Sequence, residues 1–135
     1  MHTNAHASEL PTIDIHGHTT AFSATLRDSL ESLRISVEAA TRCPIELHYG
    51  VTDDGSEHWA ALTVEELPLG SFGRPGPLMS MLIGASVPGF AVVMAGDWHA
   101  TVCTIKSRDH LADGLRIAEA EALARFADLA EGACA

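Results

Sequence analysis

Two short apolar runs, joined by Gly96-Asp97, fill the stretch from Phe90 to Ile105 and limit what the chain can become. Phe90 to Ala95 is rich in β-branched and apolar residues. Gly96 can supply the positive φ that a type II′ turn needs at its first central position. Trp98 to Ile105 then reads as the return strand of a β-hairpin. With Gly96 and Asp97 as the loop, Ala95 faces Trp98, Val93 faces Ala100 and Ala91 faces Val102. That apolar sheet face is expected beneath helices. The opposite face then carries Phe90, Val92, Met94, His99, Thr101, Cys103 and Ile105. A half-exposed antiparallel strand normally alternates with polar residues, and this one does not. The face therefore needs a cover, either from this chain or from a second copy. In the second case these seven residues are the self-association surface of a homodimer.

The remaining segments supply the helices and one more hairpin. Residues Met1 to Pro11 read as a flexible polar tail and 12–135 as a single domain. Thr12 to His16 is a candidate short strand. Phe22, Leu26, Leu30, Leu33 and Val37 form one apolar stripe, which predicts a helix over Thr20 to Thr41. Thr19 or Thr20 would cap it, and Pro44 would end it. Ile45 to Thr52 alternates cleanly, Asp53 to Ser56 is a turn cluster, and Glu57 to Val64 returns. Closing that loop pairs Gly50 with Trp59 and His48 with Ala61. Trp59 then lies on the outer face over Gly50. It is either a binding anchor or a side chain covered by the chain's own loop or tail.

Leu67 to Pro77 holds too many prolines and glycines for a regular element and reads as a mobile loop. Leu78 to Ser86 is apolar on most sides and is expected to be a short buried helix. The charge-free run Leu78 to Ala95 approaches bilayer-spanning length. Pro88-Gly89 interrupts it, so a helix followed by a strand explains it better than a membrane span. Leu111, Leu115, Ala118, Ala122, Phe126 and Leu129 mark a last helix, capped by Ser107 and running to about Glu131. The expected fold class is α+β. It comprises one antiparallel sheet of two hairpins plus the candidate N-terminal strand, with three helices mainly on one face, in the order β-α-ββ-α-ββ-α.

Charge narrows the function. Eighteen acidic residues stand against eight basic ones, a formal net charge of −10, and Lys106 is the only lysine. Such a chain lacks the clustered Lys and Arg that phosphate contacts require, so direct nucleic-acid binding is not expected. Anionic membranes repel it for the same reason. Three cysteines at 43, 103 and 134 fit neither a disulfide framework nor a zinc knuckle, and the polar start has no apolar leader core. A reducing, cytoplasmic setting is the expectation.

Between Cys43 and Gly73 there is no Lys or Arg, yet Glu46, Asp53, Asp54, Glu57, Glu65 and Glu66 are present. With His48 and Trp59 these residues form an expected docking face for a protein partner with a basic surface, where charge complementarity speeds association and rejects wrong partners. The leading expectation is a non-catalytic, chaperone-like module, or an inhibitor that occupies the basic surface of a nucleic-acid-binding protein. The helix and hairpin order resembles that of small acidic dimeric secretion chaperones.

The rival class is a small metal-dependent enzyme. Asp14, His16 and His18 share one face of an extended chain, about 7 Å apart in successive Cα positions. Carboxylate and imidazole at that spacing can chelate Zn²⁺ or another divalent metal. The D-I-H-G-H run resembles the D-x-H-x-H strand that opens many barrel-type metallohydrolases, which implies a hydrolytic metal site. Those enzymes use a much longer chain with further ligands on later strands. No cofactor is expected outside this alternative.

Overall fold

The computed structural model describes residues 22–84, 87, 89–96 and 100–132. Helix α1 (Ala24–Thr41) leads into β1 (Ile45–Val51), β2 (Glu57–Val64), β3 (Gly76–Gly84), β4 (Ala91–Ala95) and β5 (Ala100–Ile105). A 3₁₀ turn (Arg108–His110) then opens α2 (Leu111–Leu129). All five strands lie in one antiparallel sheet, each beside its predecessor in sequence.

The expected stripe makes α1. Leu26, Leu30, Leu33 and Val37 are buried. Each such burial is worth about 1.5–3 kcal/mol, so packing on the sheet holds the helix more than its own propensity does. Its start falls later than expected. Ser23 caps it by accepting the Leu26 N–H at 3.2 Å. Thr19 and Thr20, the expected caps, lie outside the described residues. Arg42 closes the helix in the left-handed region at φ 59°, and its N–H reaches the Glu38 carbonyl at 2.8 Å.

Both helices pack on one face of the sheet. That face carries Tyr49, Ala60, Met81, Val93 and Cys103 in one row across the strands, and Leu47, Leu62, Met79, Ala95 and Ala100 in the next. Most of these side chains join the core. Helix α2 sits close to the sheet because Gly114, Ala118 and Ala122 are its buried positions. A Cβ on Gly114 would stand 2.3 Å from Cγ1 of Ile105. The two helices meet as well, with Ser36 Oγ donating to Glu119 Oε2 at 3.0 Å.

Over Leu78 to Gly84 the expected helix is instead strand β3, and the last two residues of that expectation, Ala85 and Ser86, lie outside the described residues. Strand β3 is central, paired to β2 on one side and β4 on the other. Leu78, Met79, Ser80, Met81 and Ile83 are all buried, so polarity does not alternate along it. A short apolar run looks the same whether it is a buried helix or a doubly covered strand. Two α-helices are present among the described residues, rather than three. Among those residues no helix is long and apolar enough to cross a membrane. The candidate strand Thr12 to His16 lies outside them.

The second hairpin also closes differently. Ala95 pairs with Ala100, not Trp98, so four residues rather than two make the loop. Gly96 does take a positive φ, of 48°. A bulge between Val93 and Met94 leaves Val102 extra, and Val93 then meets Cys103 while Ala91 meets Ile105. The change of partner is two residues at Ala95 but three beyond the bulge, and an odd slip turns the side chains past it to the other face. Cys103 and Ile105 therefore lie on the helix side, where Ile105 is 1% exposed. Thr101 and Thr104 take the outer positions beside Met94 and Val92. The outer face of β5 is thus more polar than the sequence suggested.

The breaker-rich loop is tied down at its end. The N–H groups of Phe72 and Gly73 donate to the carbonyls of Glu131 and Leu129, each at 2.9 Å, and so satisfy the C-terminus of α2.

Candidate functional site

The first hairpin closes in the expected register, Gly50 to Trp59 and His48 to Ala61. Its turn is built by Asp54. That carboxylate accepts from the Ser56 backbone N–H at 3.0 Å, from Ser56 Oγ at 2.7 Å and from Thr52 Oγ1 at 2.9 Å. These bonds hold the Asp54 carboxyl below the ordinary aspartate range. Asp54 therefore shapes the turn, while Asp53, Glu65 and Glu66 stand exposed beside it or beyond β2.

Trp59 is half-buried on the face away from the helices. Its indole lies flat across Gly50. A Cβ at that position would fall 2.2 Å from Cζ2 and 2.4 Å from Cε2 of the ring. Only a residue without a side chain leaves that space. The row continues from Trp59 through Leu82 and Val92 to Thr104, and the next runs from His48 through Ala61 and Ser80 to Met94 and Thr101. Ser80 is wholly buried there and donates its hydroxyl to the Gly96 carbonyl at 3.1 Å.

One end of this face gathers three chelating side chains. His48 Nε2 lies 3.4 Å from Glu46 Oε1 and 3.7 Å from Glu65 Oε2. The three ligand atoms stand within 4.8 Å of one another, and all three residues are exposed. Glu46 and His48 meet because they are two apart on β1 and so share a face. Glu65 comes from just past the end of β2, the strand paired with β1.

The opposite face at this end is aromatic. Phe22 and Tyr49 meet edge to face with centroids 5.4 Å apart, and the Arg27 guanidinium sits 4.0 Å over the Tyr49 ring. Burial raises the Tyr49 phenol above its ordinary range. Burial, with Arg27 adding to it, lowers the His58 imidazole.

The expected self-association residues do not share one open surface. Ile105 is in the core and Val92 is 6% exposed. Cys103 faces the helices with its thiol pushed up by burial. Phe90 is half-buried against the core, with the Arg108 guanidinium 5.4 Å from its ring centroid. Met94 is half-buried and Thr101 exposed. His99 lies outside the described residues, as do Asp14, His16 and His18. Sequence spacing held a signal for the Glu46 and His48 pair, two apart in an alternating strand, but none for the approach of Glu65.

The described residues define an α+β protein with a five-stranded antiparallel sheet and both helices on one side. No family model matches the chain, and comparison with curated proteins and with solved structures likewise finds no match.

Proposed function

We propose that this chain is a non-catalytic protein-binding module that takes a partner with a basic surface on the outer face of β1 and β2. The observation that supports this most is the Trp59 indole spread over Gly50 on the side away from both helices. Large, stiff aromatics of this kind are the usual energetic anchors of interfaces. The surrounding charge gives the partner's chemistry. Glu46, Glu57, Glu65 and Glu66 flank this face, Asp53 stands at the turn, and no Lys or Arg interrupts the sequence from Cys43 to Gly73. A basic patch with an apolar centre complements both features, as on a nucleic-acid-binding protein held inactive or a client held by a chaperone.

Strand β5 and Val92 are not part of this surface. The docking reading therefore rests on the first hairpin, with Leu82 of β3 and Met94 of β4 at its margin.

The test is capture from lysate on immobilised protein, identification by mass spectrometry, and titration of the purified partner. The captured protein should be basic, and its association rate should fall steeply with added salt. Trp59→Ala combined with Glu57→Lys should weaken binding by at least about tenfold, because anchor truncations commonly cost over 1 kcal/mol each. Undiminished binding by the double variant, or an acidic partner indifferent to salt, would refute the proposal.

A further inference from the structure

Beyond the docking reading, and independent of it, we infer that Glu46, His48 and Glu65 form a site for a divalent transition-metal ion of the Zn²⁺ class. Three observations meet here. The first is donor identity: imidazole nitrogen and carboxylate oxygen are both zinc ligands, and three protein ligands leave a fourth position for water. The second is spacing. Zinc holds nitrogen and oxygen at about 2.0–2.2 Å, so ligand atoms of a tetrahedral site lie about 3.3–3.5 Å apart. The 3.4 Å and 3.7 Å from His48 Nε2 to the two carboxylates fall at or near that edge length, and the two carboxylate oxygens lie within 4.8 Å of each other. The third is that the contacts within the cluster are long, and act as ion pairs only while His48 is protonated. Those separations are too long for good N–H···O bonds, whose usual range ends near about 3.2 Å. Among the described residues neither Glu46 nor Glu65 pairs with a Lys or Arg.

A neutral imidazole can offer its Nε2–H to one carboxylate at most. The second carboxylate is then left facing the first across the same nitrogen. A divalent cation satisfies all three donors at once and offsets both negative charges. Two of the ligands stand on β1 and the third directly follows the strand paired with it, so the ion need only draw in exposed side-chain ends.

The test is a Zn²⁺ titration of the untagged full chain against a chromophoric chelator. It is run in a His2→Ala/His6→Ala/His16→Ala/His18→Ala background, so that the N-terminal histidines cannot supply the signal. That background protein should bind one zinc, and the His48 ring resonances should shift on saturation. Adding His48→Ala should weaken binding by at least about tenfold, in line with the loss expected when a metal site is disturbed. Glu46→Gln/Glu65→Gln should weaken it comparably. Glu46, His48 and Glu65 are exposed, so circular dichroism should show that adding their substitutions leaves the folding of the background protein unchanged. Background protein that binds no zinc, or that binds it equally well without His48, would overturn the inference. Neither Trp59 nor Glu57 is a ligand, so failure here and failure of the docking proposal are separate results.

Discussion

Replacing Gly50 with alanine tests the geometry on which the docking face depends. Gly50 does not occupy the left-handed region, so its backbone conformation is open to alanine. At such a position Gly→Ala should stabilise by about 0.4–1 kcal/mol, through the lost freedom of the unfolded chain. The added methyl, however, would sit 2.2 Å from Trp59 Cζ2 and 2.8 Å from Nε1. The ring must swing away or the strand must shift, and forced repacking of this kind costs about 1–3 kcal/mol. Trp59 is only half-buried, so the ring can move outward and the lower half of that range applies. The net expectation is a loss of up to about 1.5 kcal/mol where a gain would otherwise be seen. Urea unfolding measures it as a lower midpoint at unchanged slope. Fluorescence locates it: in a Trp98→Phe background, the emission of Trp59 should move to the red as the indole meets water. A raised midpoint with an unmoved spectrum would show that the ring does not lie on Gly50.

Two further outcomes are expected. Gly114→Ala would gain about 1 kcal/mol from helix propensity alone, yet its methyl would meet the buried Ile105 side chain at 2.3 Å. The variant should therefore be destabilised, by up to about 2 kcal/mol, and a higher melting temperature would count against the close seating of α2 on β5. His58 governs an acid-side loss of stability. Burial holds its folded pKa below the ordinary 6.5, so the unfolded chain binds the proton more readily. Its contribution is fully present above 6.5 and is lost as pH falls through the depressed folded value. His58→Gln should flatten that part of the stability profile, and an identical slope in both proteins would remove the burial argument.

The first hairpin was legible because each of its signals agreed. Ile45 to Val51 alternates in polarity, the turn has its aspartates and glycine, and the register follows from loop length. Helices α1 and α2 were legible from their stripes. Strand β3 was not, because a strand covered on both faces loses the alternation that would identify it. Register in the second hairpin failed at the loop, four residues rather than two, and again at the bulge, since nothing in Ala100 to Ile105 announces that Val102 is surplus. The approach of Glu65 to His48 is a matter of tertiary placement across two strands, and spacing along the chain holds no trace of it. The N-terminal Asp14, His16 and His18 lie outside the described residues, so the structure does not bear on them.

A meander in which every strand neighbours the one before it can assemble by zipping, one short closure at a time. The contact of α1 with α2 is different in kind. The Ser36–Glu119 bond alone spans 83 residues. Closing so wide a loop adds only a logarithmic entropic term, but its reward is the lid over the whole greasy side of the ribbon. A chain that loses its grip there keeps its ladder of backbone bonds while baring Met79, Met81 and Val93 to whatever is near, and aggregation is the form its failure should take.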